Sequence, residues 1–133
     1  MIGFQISLTK LKGDNMFDAL KVKNECVEWI RKFFEEKEIY PEISIETNGT
    51  LLDEKAVELL RNNNIHLGVS IDGTDVIHNT QRPYMQGNES FNKVVSGIRN
   101  LQNAGYEGLG SITVITKNNY NKINEILDFF AKD

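Results

Sequence analysis

The chain has 133 residues, of which 40% are hydrophobic and 26% are charged, and its formal net charge is −4. This composition is typical of a globular domain and excludes disordered, collagen-like and low-complexity proteins. The acidic balance and the lack of a large lysine or arginine cluster argue against nucleic acid as a partner. We expect a single domain spanning residues 1–133.

Cysteine, histidine and hydropathy patterns limit the kinds of site further. One cysteine, Cys26, cannot form an intrachain disulfide framework, a four-thiolate zinc site or an iron–sulfur cluster. His78 is an isolated histidine in a polar segment, so no metal site is predicted. Residues 1–8 are apolar but have no basic residues before them, unlike a secretory signal. No apolar run approaches the roughly 20 residues that span a bilayer, and we expect a cytoplasmic protein with no membrane partner.

The first two predicted elements are a strand and a long helix. Residues 2–8 carry an apolar side chain at every second position, which is the period of a strand. A helix is predicted from about Phe17 to Lys37, and its apolar positions include Cys26 and Trp29. We therefore expect Cys26 to be a small buried side chain rather than a reactive thiol.

Two further strands follow, each ended by a turn signal. Residues 43–47 predict a strand closed by Asn48-Gly49, and Asp53 is a suitable N-cap for the helix after it. Residues 66–71 predict the next strand, which is closed by Asp72-Gly73.

The last third of the chain predicts one more strand between two helices. A polar loop over residues 74–88 leads into a helix with Phe91 at its start, and Gly105 lies where a left-handed C-terminal cap is expected. Residues 109–115 predict a fourth strand. Asn118-Asn119 is expected to cap the final helix.

The resulting order, βαβαβαβα, predicts an α/β fold with a parallel sheet and right-handed crossovers. The strands read as apolar on one face only, whereas a sheet covered on both sides is apolar on both. The predicted apolar face comprises Ile43, Ile45, Leu67, Val69, Ile71, Ile112 and Val114. The predicted polar face comprises Ser44, Glu46, Gly68, Ser70, Asp72, Ser111 and Thr113. We predict a partial (β/α) barrel of about four parallel strands with helices on its outer face, and chemistry at the C-terminal strand ends.

Each polar residue near those strand ends has both a structural and a functional interpretation. The tetrapeptide Thr47-Asn48-Gly49-Thr50 is explained by a turn alone. Ser70 and Asp72 share the polar face, and Ser70 could donate a hydrogen bond to a ligand carboxylate or ribose. The guanidinium of Arg82 can bind a carboxylate through two parallel N–H groups, although loop arginines are usually solvated. Glu46 faces the predicted cleft, where a basic partner could equally make it structural.

Taken together, these segments resemble the radical S-adenosylmethionine (SAM) enzymes. The resemblance covers about residues 39–116. It rests on Ile45-Glu46-Thr47-Asn48-Gly49-Thr50-Leu51-Leu52-Asp53, Gly68-Val69-Ser70-Ile71-Asp72-Gly73, His78, Arg82, Gly87 and Ser90-Phe91. The most similar branch contains the anaerobic sulfatase-maturating enzymes and the peptide maturases that carry a SPASM extension.

The resemblance implies a barrel of the TIM type, a [4Fe-4S] cluster, SAM as cofactor and a peptide or protein substrate. The implied cofactor-binding residues are Thr47, Asn48, Ser70, Asp72 and Arg82. Ser70 and Arg82 would bind the carboxylate end of the methionine moiety, and Thr47 and Asn48 would end the strand below the SAM site. Asp72 would shape the turn that presents Ser70.

Two further positions take their implied roles from the same resemblance. Residues 112–115 would flank the adenine of SAM, partly through backbone groups. Gln5 would face the substrate side, since Phe4-Gln5 corresponds to the opening strand of the family.

The chain departs from the family at the positions that carry the chemistry. The family requires a Cys-x₃-Cys-x₂-Cys loop, whereas this sequence has only Cys26, and residues 6–9 stand in place of Gly-Gly-Glu-Pro. Without the cluster there is no electron donor and no radical. We therefore predict an incomplete or degenerate radical SAM domain that has no catalytic residue or cofactor of its own and is inactive alone. Its start near the second family strand favours this interpretation.

Two non-catalytic functions stay open beside this one. In the first, Ser70 and Arg82 hold a small anion or SAM without chemistry, and Arg82→Ala weakens binding but not folding. In the second, the open edges of a half-barrel pair two copies into a homodimer. A monomer at high concentration would exclude the second.

Overall fold

Short strands alternate with helices along the chain, and the computed structural model describes residues 3–6, 16–83 and 89–132, with side chains from residue 25 onward. The strands are β1 (Gly3–Ile6), β2 (Glu42–Thr47), β3 (His66–Ser70) and β4 (Leu109–Ile112). The helices are α1 (Met16–Glu35), α2 (Glu54–Asn62), α3 (Asp75–Gln81), α4 (Phe91–Asn103) and α5 (Ile123–Ala131). A 3₁₀ turn, Tyr120–Lys122, precedes α5.

The strands form one parallel sheet in the order β1-β2-β3-β4. One face of the sheet packs against α1, α2 and α4. The core between them includes Val27, Ile43, Ile45, Leu60, Leu67, Val69, Val94 and Leu101. The α/β class predicted from the sequence is confirmed. Among the described residues, no helix has the length and apolarity that a bilayer crossing requires.

Arginine side chains and a glycine satisfy the carbonyl groups that helix ends leave free. Arg31 of α1 donates to the carbonyls of Asn63 and Asn64 after α2, and Arg61 of α2 donates to Ala104 after α4. Gly105 has a φ of 65°, which confirms the predicted left-handed cap. These contacts tie α1 to α2 and α2 to α4.

The predicted N-cap of α2 is also confirmed, since the Asp53 carboxylate accepts a hydrogen bond of 2.9 Å from the Ala56 N–H. We expect Asp53→Ala to lower the free energy of unfolding by about 1 kcal/mol, because a free helix N–H is left without its acceptor. Urea denaturation measures this loss. Glu54→Ala, one residue later, removes a carboxylate without removing the cap and is expected to change stability by less than half as much. Equal losses in the two variants would contradict a capping role.

The prediction for Cys26 is wrong, because this side chain is exposed. Trp29 also lies outside the core, with 71% of its surface exposed. Two apolar stripes run side by side along α1, and the sheet covers the stripe containing Val27 and Ile30. Both stripes have helical spacing, so periodicity alone does not choose between them.

The faces predicted for β4 are also wrong. The strand ends at Ile112 rather than residue 115, and Ile112 lies on the polar face. A Cβ built on Gly68 would approach the Ile112 Cδ1 atom to 2.8 Å, so the isoleucine covers this glycine. Val114 is 48% exposed. A strand shifted by one residue exchanges its two faces.

The predicted polar loop contains a helix, α3, which buries Ile77 and His78. Seven residues with only two buried positions give too short a pattern to indicate a helix. The predicted cap at Asn118-Asn119 is wrong too, because the Asn119 side chain makes no capping bond. It is buried and instead accepts from the Thr116 N–H at 2.7 Å.

Candidate functional site

The parallel strands end at one edge of the sheet, where β2, β3 and β4 stop at Thr47, Ser70 and Ile112. The residues that follow these ends, 48–53, 71–74 and 113–119, form the rim of the sheet. Ligands of parallel α/β sheets bind beyond the C-terminal strand ends. The candidate residues from Thr47 onward lie in this rim, at the strand ends beside it or directly after α3.

The loop after β2 satisfies its own polar groups. The Thr47 hydroxyl accepts from the Gly49 N–H at 3.2 Å. The Asn48 side-chain oxygen, Oδ1, accepts from the Thr50 N–H at 3.2 Å and from the Thr50 hydroxyl at 3.0 Å. Gly49 has a φ of 72°. The turn interpretation of this tetrapeptide therefore accounts for these side-chain oxygens of Thr47 and Asn48.

The sheet face opposite the core is polar around β3, and we call it the open face. Glu46, Gly68, Ser70 and Ile112 lie on it, with Ser70 half-buried at its rim end. Within the described residues, no hydrogen bond engages the Ser70 hydroxyl. A polar ligand at this rim would find that hydroxyl ready to donate or accept.

Asp72 holds Arg82 across the rim. The buried carboxylate of Asp72 accepts from the Arg82 Nε–H at 2.6 Å and from Nη2 at 3.2 Å. It also accepts from the Val114 N–H at 2.9 Å, which ties the chain after β4 to the end of β3. Arg82 keeps 28% of its side chain exposed. The guanidinium is thereby fixed in orientation while part of it still meets solvent.

His78 and Ser90 complete this network behind the ion pair. The Asp72 N–H lies 3.3 Å from His78 Nδ1, and His78 Nε2 lies 3.0 Å from the Ser90 Oγ atom. The Ser90 hydroxyl donates to the Arg82 carbonyl at 2.8 Å. Burial lowers the pKa of His78 below its usual 6.5, and the Arg82 charge adds to this effect while Asp72 opposes it.

The structure brings Ser70, Asp72 and Arg82 to one rim, whereas Thr47 and Asn48 lie in the neighbouring loop. Gln5 pairs with Ser44 through the backbone, and its side chain lies outside the described ones. Three stretches lie outside the described residues, namely 1–2, 7–15 and 84–88. They contain the ends of the predicted first strand, most of the segment in place of Gly-Gly-Glu-Pro, and Gly87.

Sequence reasoning missed the parts played by His78 and Ser90 in this network. The signal available was the place of Ser90 directly before a predicted helix. The Asn79 side-chain oxygen, Oδ1, accepts from the Ser90 and Phe91 N–H groups at 3.0 Å each and thus caps α4 from α3. A cap supplied from another helix leaves no trace in the local sequence.

The residues of this chain do not fit a [4Fe-4S] cluster. Such a cluster needs several thiolates, and the sequence holds one cysteine, on the exposed surface of α1. Among the described residues, no group of three histidine, cysteine, aspartate or glutamate side chains could hold a metal ion. The Ser70 hydroxyl and the Arg82 fork are, by contrast, donors suited to the carboxylate of a ligand such as SAM.

Comparisons with known proteins agree on one family. Residues 20–130 match the family model of the Radical SAM superfamily. A cysteine-type anaerobic sulfatase-maturating enzyme of Clostridium novyi is 33% identical over 120 residues, which are 90% of this chain and 32% of that protein. A serine-type anaerobic sulfatase-maturating enzyme of Bacteroides thetaiotaomicron is 35% identical over 103 residues, 77% of this chain and 24% of that protein.

Solved structures show the same relationship. The structure described as native anSMEcpe with bound AdoMet superposes with a TM-score of 0.79 at 26% identity, covering 96% of this chain and 34% of that chain. The same protein with bound AdoMet and the Kp18Cys peptide gives a TM-score of 0.80, covering 98% of this chain and 35% of that chain. The chain therefore spans about a quarter to a third of the length of these relatives. On the family match and these similarities, the chain belongs to the radical SAM superfamily.

Proposed function

We propose that this chain is part of a radical SAM domain whose rim binds the methionine end of SAM through Ser70 and Arg82. It forms a partial (β/α) barrel of about four strands in one domain, with Thr47, Asn48 and Asp72 supporting the site. The observation that carries the proposal is a Ser70 hydroxyl with no hydrogen bond among the described residues, at the same end of the sheet as an Arg82 guanidinium fixed by Asp72.

The ion pair with Asp72 orients the Arg82 guanidinium for ligand binding but also reduces the positive charge that attracts a ligand. Asp72 binds the Nε and Nη2 edge of the guanidinium, so a ligand carboxylate has both Nη1 N–H groups and the second Nη2 N–H group to bind. Because Asp72 already neutralises much of the Arg82 charge, the attraction for a second carboxylate is reduced. We expect weak binding, with a Kd on the order of 0.1–1 mM, which corresponds to roughly 4 to 5.5 kcal/mol.

We further propose that this chain alone does not cleave SAM. The parent activity is the reductive cleavage of SAM and the radical modification of a peptide or protein. In the family the cluster supplies the electron for that cleavage, and one cysteine cannot hold it. A peptide substrate for the parent activity is supported by the peptide-bound relative, and Gln5 of β1 would face it. Cytoplasmic location and the absence of nucleic-acid and membrane partners belong to the same proposal.

Calorimetric titration with SAM tests the site. We expect Ser70→Ala and Arg82→Ala each to weaken binding by about five- to tenfold, because each removes a hydrogen bond, in one case charge-assisted, to the carboxylate. Arg99→Ala on α4 removes an exposed arginine elsewhere and is the matched control. 5′-Methylthioadenosine, which lacks the carboxylate, should bind equally to wild type and Arg82→Ala.

Either of two results would reject this site. The first is no binding of SAM at millimolar concentration by a folded chain. The second is equal SAM affinity in wild type and Arg82→Ala.

A second candidate function, homodimer formation, is supported by the exposed surface at the two edges of the sheet. In the described part of the chain β1 and β4 are edge strands, and Trp29 of α1 and Leu127 of α5 are 71% and 60% exposed. Open edges and exposed apolar side chains favour pairing of copies. Sedimentation velocity measures it, and a monomer at about 0.5 mM, where even weak dimers of Kd near 1 mM are partly populated, excludes it.

A further inference from the structure

Arg82 is held at both of its ends. Its guanidinium donates to the Asp72 carboxylate at 2.6 and 3.2 Å, and its backbone carbonyl accepts from the Ser90 hydroxyl at 2.8 Å. His78 joins these two anchors, since its ring nitrogens face the Asp72 N–H and the Ser90 Oγ atom. Asp72, His78, Ser90 and Arg82 therefore form a closed cycle of hydrogen bonds, which we call the hydrogen-bond cycle.

The cycle admits one arrangement of protons. The Ser90 hydroxyl donates its only hydrogen to the Arg82 carbonyl, so the Ser90 Oγ atom accepts from His78 Nε2–H. Nδ1 of His78 then carries no hydrogen and accepts from the Asp72 N–H. His78 is consequently neutral, with its proton on Nε2, and both ring nitrogens are satisfied in a site that is 1% exposed.

We infer that His78 and Ser90 are positioning residues that hold Arg82 through this hydrogen-bond cycle. Arg82 follows α3, a helix of only seven residues, which is too short to be stable without tertiary contacts. The cycle ties the end of α3 to the end of β3 and to the start of α4. Its use in presenting Arg82 to a carboxylate rests on the proposed function, but the positioning itself does not.

The cycle also makes the position of Arg82 depend on the protonation of His78. A proton on Nδ1 would point at the Asp72 N–H, so two donors would face each other and the bond would break. The charged groups acting on the imidazole are Asp72 and Arg82, and α4 contributes the neutral Ser90 and the edge of Phe91, whose ring centroid is 5.9 Å away. Burial lowers the pKa of His78 below its usual 6.5, so the cycle is intact at neutral pH and opens only as the pH falls through that lowered pKa.

Nuclear magnetic resonance of the ¹⁵N-labelled chain tests this inference without any ligand. The readouts are the hydrogen exchange of Arg82 Nε–H and the ring nitrogen shifts of His78. We expect Ser90→Ala to accelerate exchange by at least about five- to tenfold, because both hydrogen bonds of the Ser90 hydroxyl in the cycle are lost. Ser90→Thr, which keeps the hydroxyl, should restore slow exchange, and Ser96→Ala on the exposed side of α4 should not alter it.

An acid titration of the wild type is a second test, and it does not depend on whether any variant folds. Arg82 Nε–H should lose its protection with the same midpoint as the His78 ring, while the backbone of β2 stays protected. Unchanged exchange in Ser90→Ala, or Arg82 protection that ignores His78 protonation, overturns the inference. A coupled cycle in a chain that binds no SAM would reject the proposed function and still support the positioning role.

Discussion

Asp72→Asn is expected to lower the free energy of unfolding by about 2–4 kcal/mol. The Asp72 carboxylate is 1% exposed and accepts three hydrogen bonds, two from Arg82 and one from the Val114 N–H. Asparagine keeps one oxygen but turns an NH₂ group toward a guanidinium that also only donates. Because Arg82 is 28% exposed, water screens part of the uncompensated charge, so the expected range lies about 1 kcal/mol below the 3–5 kcal/mol typical of a fully buried pair.

Urea denaturation of Asp72→Asn beside Asp75→Asn measures this effect. Asp75 is an exposed aspartate in the first turn of α3, so its substitution makes the same change in charge without breaking a buried pair. We expect less than about 0.5 kcal/mol from it. A loss of similar size in both variants would mean that Asp72 contributes only surface charge, and the buried ion pair would then not stabilise the rim.

The strand and helix order could be predicted because the chain alternates between two clear hydrophobic periods. The signals that worked were local: Asp53 caps α2, and Gly105 adopts the left-handed conformation after α4. The burial of α1 could not be predicted in the same way. Its two apolar stripes are equally periodic, and only the tertiary packing decides that Val27 is buried and Trp29 is not.

The site residues also divide into those that local sequence signals place and those that only tertiary contacts place. Ser70 and Asp72 could be placed on the rim because strand alternation and a turn pair locate them. The link between Asp72 and Arg82 spans ten positions in sequence and crosses a helix that the sequence did not predict. His78 was expected in a loop, yet it is buried by contacts with Asp72 and Ser90. Such contacts depend on the fold, since no short-range pattern encodes them.

Gly97→Ala is the second change expected to have a large effect, because Gly97 lies where α4 crosses the loop after β2. A Cβ at this position would lie 2.4 Å from the Gly49 carbonyl oxygen and 3.0 Å from the Leu52 Cβ atom. A backbone oxygen cannot rotate away as a side chain can, so the helix or the loop must shift. Overpacking of this kind costs about 1–3 kcal/mol or more, whereas alanine gains about 1 kcal/mol of helix propensity. We expect a net loss of about 1–2 kcal/mol, because contact with a backbone oxygen places the overpacking cost toward the upper end of its range.

Ser96→Ala is the matched control for Gly97→Ala, because it offers the same helix a residue of higher propensity on the exposed side. It is expected to raise stability slightly while Gly97→Ala lowers it, and denaturation in urea distinguishes the two. A stabilised Gly97→Ala would show that α4 does not approach the loop closely. Ser90, which anchors Arg82, directly precedes the same helix, and the Asn100 side chain of the helix donates to the Leu52 carbonyl at 2.8 Å. A shift of α4 should therefore also release the protection of Arg82 Nε–H, which Ser96→Ala should leave intact.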